Sequence, residues 1–355
     1  MLSIKPSDDP PDLAVPANEA ALSGQSEGVA PAVRAPLWRR MFSKPVVGLD
    51  IGTSMMKAVV LERRRDGLAL KRIACAETPP AALTNGVLSD SVAVSERLRA
   101  LFNDYRIRAT RIAVATGGEK VLCQTERLAW TSPEERLALI EQSVASTITY
   151  PIEGAAVAFE ELEKAAGTEG VLFWVSAPLD HVDWLRETVS LSGRQAAIVD
   201  TEACALANAV AYNYQPAPNT ASVLVHIGAR KLVMGLLLGD RLDYARSAPI
   251  AAQRPGERPV SFSDRVLGLV DSYWDALSQR AKPLALGRLF VSGGPAEVSV
   301  IGEALHAQTG LAVTRVDPFR RISCPAAVDS GQLANEGRST FAIAVGLALR
   351  AFEEL

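Results

Sequence analysis

Asp50-Ile51-Gly52-Thr53-Ser54, with Lys57 close behind, is the part of the chain whose residue types are best suited to chemistry. A tight turn of glycine and hydroxyl residues exposes backbone N–H groups that can cradle a phosphate. An aspartate at the end of the strand before it can hold Mg2+ through water. Taken alone, the pattern is a common hairpin, so its meaning depends on where it stands. Glu202 is a second candidate, a carboxylate at a strand-to-helix junction. It can position an attacking water, or it can be a first-turn acid favoured by the helix dipole; the residue type allows both. Cys75, Cys123, Cys204 and Cys324 lie far apart, and His181, His226 and His306 show no ligand spacing, so no zinc site is expected.

The elements around Asp50 form a meander. Val46 to Ile51 predicts a strand, Met56 to Glu62 a second, Arg65-Asp66-Gly67 a tight turn and Leu68 to Glu77 a third strand. The same order returns downstream: Ser222 to Ile227, a turn at Gly228-Ala229-Arg230, Leu232 to Leu238, then Arg241 to Ser247. Arg230 and Lys231 can meet phosphate oxygens, although solvated hairpin residues are the favoured reading. Helices and strands alternate after each copy. Ser91 to Asn103, Arg111 to Ala115, Val171 to Ser176, Asp180 to Leu191, Ala196 to Val199 and Glu202 to Tyr212 follow the first. Asp264 to Gln279, Arg288 to Val291, Ala296 to Thr309, Leu311 to Val316 and Thr340 to Phe352 follow the second. Two such units in tandem imply two α/β lobes, 45–213 and 220–355, with a cleft between them.

Residues 119–163 interrupt the first unit with signals of their own. Val121 to Leu128 alternates like a strand, and Ser132-Pro133-Glu134-Glu135 is a capping box with proline at the first helical position. The helix runs to about Thr147, Tyr150-Pro151 ends it, and Ala156 to Leu162 is a further strand. A small α+β subdomain hung on the first lobe is expected.

With 355 residues the chain exceeds the ~250–300 at which single cores stop growing, which also favours two lobes. The net charge of −3 offers no basic field for nucleic acid. No apolar run reaches the ~18–20 residues that cross a bilayer, and the N-terminus is unlike a secretory signal, so a cytoplasmic location is expected. Residues 1–44 are rich in proline, alanine and acids, and read as a disordered tail. Its end, Leu37-Trp38-Arg39-Arg40-Met41-Phe42, can contact a membrane or partner, or can pack on the folded body.

The ordered set of motifs resembles the PilM family of type IV pilus assembly proteins, within the superfamily of actin, sugar kinases and heat-shock chaperones. The turn at Asp50 resembles the first phosphate loop, and Val225-His226-Ile227-Gly228-Ala229 falls at the second. Val291-Ser292-Gly293-Gly294-Pro295-Ala296 looks like the adenosine motif, and Val199-Asp200-Thr201-Glu202-Ala203 is similar to the segment joining the lobes. Val316-Asp317-Pro318-Phe319 and Phe341 to Leu349 echo the closing strand and helix, so the likeness spans about residues 45–353. It implies a duplicated actin-like, ribonuclease H-like fold. It also implies a site for ATP and Mg2+ built from Asp50, Gly52, Thr53, Ser54, Lys57, Gly228, Gly293 and Gly294, with Asp50 toward the metal.

His226 departs from this pattern, because the family carries aspartate there, and Leu232 and Val233 replace expected hydroxyl residues. A neutral imidazole cannot hold Mg2+ as a carboxylate does, so nucleotide binding is weakened and rapid hydrolysis is not expected. The stretch between the second meander and Arg288 is also short, and where the family has a Gly-Gly turn and further helices, Pro249 to Pro259 is a proline- and arginine-containing loop.

In the family a groove beside the inserted subdomain takes the cytoplasmic N-terminal peptide of PilN, a single-span inner-membrane protein. That places Val144, Ile148, Tyr150, Pro151 and Ile152 near a peptide groove, or else in the subdomain's own core. The function implied is a scaffold or adaptor at the inner face of the inner membrane, held there through partners and able to self-assemble. An active ATPase or kinase, and a membrane-associated filament former like FtsA, are the alternatives.

Overall fold

β1 (Val46–Ile51) is buried along its whole length because it lies inside a sheet that helices cover on both faces. It pairs antiparallel with β2 (Met55–Arg64), which turns at Arg65-Asp66 into β3 (Gly67–Glu77). The computed structural model describes residues 46–84, 87–130, 132–164, 169–250, 261–294, 298–324 and 337–353. The expected tail at 1–44, most of the loop at 249–259, and Pro295 with Ala296 lie outside the described residues.

A two-residue hairpin, β4 (Leu83–Thr84) and β5 (Val87–Leu88), leads to α1 (Ser91–Asp104), whose first turn is capped by the Asp90 carboxylate accepting from the Ala93 amide at 2.9 Å. β6 (Arg111–Thr116) runs parallel to β1 on its other side. The inserted region contributes β7 (Leu122–Ala129), α2 (Pro133–Thr147), β8 (Ala155–Lys164) and β9 (Glu169–Pro178). The predicted N-cap holds, with Ser132 accepting from the Glu135 amide at 3.1 Å. α3 (Leu179–Leu191), β10 (Gln195–Thr201) and α4 (Glu202–Tyr214) complete the first half.

The second half repeats the plan with β11 (Ala221–Ile227), β12 (Lys231–Leu238), β13 (Arg241–Pro249), α5 (Phe262–Ala281), β14 (Leu286–Gly293), α6 (Val298–Thr309) and β15 (Ala312–Arg315). The first sheet has the order β10-β6-β1-β2-β3, and the second begins β15-β14-β11-β12-β13, which is the same arrangement of equivalent strands. The turns match as well: the Gly52 amide donates to the Met55 carbonyl at 3.1 Å, and the Gly228 amide to the Lys231 carbonyl at 2.9 Å. α1 and α3 cover one face of the first sheet, through Leu98, Leu101, Phe102, Leu185 and Val189. α5 and α6 cover the corresponding face of the second, through Val266, Val270, Leu277, Ile301 and Leu305.

Three placements differ from the sequence reading. The strand at 171–176, expected in the first sheet, is part of β9, which lies between β7 and β8 in the inserted region. That region is not simply hung on the first lobe: β7 also pairs with β13 through Tyr244–Gln124 and Ala245–Cys123, so the second sheet continues into the subdomain as β13-β7-β9-β8. An alternating strand shows which face is buried but not which edge it will join.

The last difference concerns the end of the chain. After β15, Ser323 bridges to Ala69 on the edge of β3, and α7 (Ala342–Glu353) packs on the first sheet although it follows the second repeat. Ala344, Val345, Ala348 and Leu349 meet Val59, Leu61 and Leu70 there. In exchange α4, from the first half, packs Leu206 and Val210 against Leu224, Val233 and Leu237 of the second sheet. Both helices are buried on nearly every side, so periodicity could not assign either to one sheet.

α4 and α7 cross where Gly346 meets the Ala205 backbone, and a Cβ at 346 would overlap that carbonyl. Gly48 gives α7 the same access to β1, since a Cβ there would strike the backbone at Ala344 and Ala348. Gly346→Ala is expected to cost about 2–3 kcal/mol in urea unfolding. Val300→Ser, on the exposed side of α6, should stay within about 0.5 kcal/mol of the parent.

Candidate functional site: a cleft lined by both repeats

Asp50 is the penultimate residue of β1, and its side chain is buried against Lys57, which stands directly opposite on β2. Lys57 Nζ donates to Asp50 Oδ2 at 2.8 Å. Gly52, Thr53 and Ser54 form the turn between these strands. All five residues line a cavity of about 620 Å³, and so do Glu202, His226, Gly228, Ala229, Lys231 and Gly294. The turns of the two repeats and the joining segment are thus brought to one cleft, as the sequence reading requires.

Gly293 is the exception. It sits behind the cavity wall at φ +134°, pressed against the Ile227 backbone, where a side chain would collide and an L-residue would be strained. Its neighbour Gly294 reaches the cavity, and its amide donates to the Ile227 carbonyl at 3.3 Å. Phe262, Phe341 and Ile343 supply an apolar wall, with Cys75, Gly337 and Thr340. A cavity of this size with two glycine turns and an apolar side suits a nucleotide.

The second repeat departs from the first at the charged pair. Asp50 faces Lys57 across β1–β2, while at the equivalent register His226 faces Val233 across β11–β12. His226 is buried, and its Nδ1 lies 2.9 Å from Ser292 Oγ. Burial pushes the imidazole down to about 4; Lys57 and Lys231 act in the same direction and Asp50 opposes them. His226 is therefore neutral near pH 7.

The cation of the second repeat comes from Lys231 instead. It stands where Met55 stands in the first copy and reaches across the cleft to bond Glu202 Oε1. The sequence reading favoured a solvated Lys231 over one that meets phosphate. Its side chain is only 12% exposed, because its partner is supplied by the other half of the molecule, whereas Arg230 is exposed as expected. Glu202 caps nothing and points into the cleft from the first turn of α4; Thr201 caps that helix, accepting from the Cys204 amide at 3.1 Å. Burial raises the Glu202 carboxyl above its ordinary range, outweighing the pull of Lys231. Its Oε2 is buried without a hydrogen-bond partner, facing Gly117, where a Cβ would overlap the carboxylate. Gly117 is the residue the sequence reading did not flag; the glycine pair after β6 was the one local signal.

Magnesium does not fit this donor set. Asp50 Oδ2 carries Lys57 and Glu202 Oε1 carries Lys231, while His226 is neutral. Among the described residues no group of three or more His, Cys, Asp or Glu is placed to hold a metal ion.

The residues expected near a peptide groove lie in the subdomain, away from this cleft. Val144 is fully buried in its core with Leu122, Ile140, Leu172 and Trp174, and has no surface to offer a partner. Trp174 Nε1 is satisfied there by the Glu126 carboxylate at 3.0 Å. Ile148 and Ile152 pack against that core and stay half-buried. Tyr150 holds Ser176 Oγ through its hydroxyl at 2.9 Å, and Pro151 is exposed.

The sequence pattern of the type IV pilus assembly protein PilM family matches residues 48–254 and 274–352. The chain belongs to the PilM family. This PilM-family chain is similar to a solved structure described as a PilM–PilN type IV pilus biogenesis complex, at 19% identity and a TM-score of 0.71, over 86% of this chain and 98% of that one. It is also similar to the ethanolamine utilization protein EutJ from Carboxydothermus hydrogenoformans (13% identity, TM-score 0.45, 85% and 88% of the two chains). A further match is the cytoplasmic domain of EpsL, an inner-membrane component of the Vibrio cholerae type II secretion system (10% identity, TM-score 0.43, 87% and 94%). No curated protein sequence matches the chain. The fold is the duplicated actin-like one, and the PilM-family chain is a pilus assembly protein by membership. No helix among the described residues is long and apolar enough to cross a membrane.

His226 gives this site a pH signature. A histidine whose pKa falls on folding binds its proton first in the unfolded chain, so stability is lost as pH drops from about 6.5 toward about 4. Between about pH 7 and about pH 5 the parent should lose about 2 kcal/mol more than His226→Asn, read from urea unfolding at each pH. Equal losses would place the imidazole in solvent.

Proposed function

We propose that the protein is a cytoplasmic scaffold of a type IV pilus assembly machine, docking the short cytoplasmic peptide of a PilN-like single-span inner-membrane protein. Docking would hold it at the inner face of the inner membrane through that partner. The observation that carries this reading is the family match over most of the chain, supported by the fold shared with the PilM–PilN complex structure. The peptide would lie on the subdomain near Ile148, Tyr150, Pro151 and Ile152, which keep accessible surface, whereas Val144 would support them from the core.

The inter-repeat cleft is proposed to bind ATP and to turn it over slowly or not at all. Glu202 is the best candidate for an acid that acts on water. Its Oε1 is engaged by Lys231, and its Oε2 is walled in by Gly117, which speaks against an efficient base. His226 offers no carboxylate to share the work.

Two titrations test this reading: one with a synthetic peptide of the PilN-like cytoplasmic segment, the other with ATP. The peptide should bind, Pro151→Ala with Ile152→Ala should weaken it about tenfold, and Val144→Ala should instead lower stability by about 1 kcal/mol. ATP turnover should fall well below the ~1–10³ s⁻¹ of ordinary enzymes. Turnover inside that range, with no peptide binding, would favour an ATPase or kinase instead.

A further inference from the structure

We propose that the cleft binds its polyphosphate ligand without a divalent cation, because Lys57 and Lys231 occupy the positions a metal would take. The inference rests on the ATP reading above and concerns the same cavity.

Two buried carboxylates line the cavity, Asp50 and Glu202, one from the first turn and one from the joining helix. Each already has an ammonium on one oxygen, Lys57 on Asp50 and Lys231 on Glu202. The side chains of all four are 15% exposed or less, so the pairs are not loose surface contacts. With His226 neutral, the charges at this end of the cavity cancel.

Magnesium demands near-octahedral oxygen ligands and usually takes one or two carboxylates together with substrate phosphates. To reach Asp50 Oδ2 or Glu202 Oε1 it would have to expel an ammonium, and Glu202 Oε2 is walled in by Gly117. The expelled lysine would then stay partly buried beside a dication, with its own partner lost, which is strongly unfavourable. His226 adds no oxygen, and its Nδ1 is engaged with Ser292 at 2.9 Å.

The lysines can do the same electrostatic work directly. An ammonium has three donors, and one is spent on each carboxylate. The others can meet phosphate oxygens entering between the Gly52 and Gly228 turns, so that each lysine bridges protein acid to ligand phosphate as a bound cation would. Two ammoniums supply the same formal charge as one divalent ion. They come from both repeats, Lys57 on β2 and Lys231 on β12, so a phosphate chain spanning the cleft meets one at each side.

The test is calorimetric titration of the full chain with ATP, once in excess EDTA and once in millimolar Mg2+. Affinity in EDTA is expected to equal or exceed that in Mg2+, because uncomplexed ATP presents more charge to the lysines. Binding that is tenfold or more tighter with Mg2+ would overturn the proposal and leave the nucleotide reading standing. No heat in either arm would overturn both. The double variant Lys231→Gln with Glu202→Gln removes the charges as a hydrogen-bonding pair, so that no lone buried ion remains. Its EDTA-arm affinity should fall about tenfold, with a thermal midpoint within a few degrees of the parent. Retained affinity at a retained midpoint would remove Lys231 from the site. Should the double variant unfold, Lys57→Arg offers a second reading: its planar fork cannot reproduce the tetrahedral bridge. Its EDTA-arm affinity should fall at least threefold, and unchanged affinity would count against the proposal.

Discussion

The close crossing of α4 and α7 fixes the rest of the molecule. These helices lie between the two sheets, each packing on the sheet of the other repeat, and they can approach only because residue 346 carries no side chain against Ala205. That approach sets the distance between the halves. It also places the two helix beginnings: Glu202 opens α4 and is carried into the cleft, and Thr340 and Phe341 precede α7 at the cavity's apolar wall. A small residue in a buried helix thus governs the dimensions of a site to which it contributes no atom.

Within that frame the cleft is organised by charge pairs rather than by exposed acids. The first repeat keeps its acid and lysine across one hairpin, Asp50 opposite Lys57. The second has lost both at the equivalent register, where His226 and Val233 stand, and replaces the hairpin pair by one that joins the halves, Lys231 to Glu202. Internal symmetry of the backbone is retained while symmetry of the chemistry is not. A buried ion pair of this kind is not a large source of net stability, but removing either member alone would strand the other.

Local features were legible in the sequence. The N-cap at Ser132, the turn at Arg65-Asp66 and the strands on either side of Gly52 and Gly228 depend on neighbours a few residues away, and the structure has them where the pattern put them. The convergence of Asp50, Gly52 and Gly228 was legible through the repeat, and that of Gly294 only through the family resemblance. What stayed hidden depends on distant partners. Lys231 resembles any hairpin lysine until Glu202 is brought beside it. Val144 has the helical spacing both of a groove and of a core, and only burial separates them. α7 is apolar around most of its circumference, so its composition could not say which sheet it would cover. The edge that β7 joins was equally open, since alternation is indifferent to neighbours.

The short ladder between β13 and β7 has a mechanical meaning. The subdomain belongs covalently to the first repeat, yet its sheet is an extension of the second. Arg280 reinforces the seam, donating to Asp243 at 3.0 Å and to the Thr125 carbonyl at 2.6 Å, and Arg246 does so through Gln124 at 3.0 Å. A rigid-body swing of one repeat against the other must therefore either snap this seam or drag the inserted module along, so the module is geared to the opening angle of the cleft.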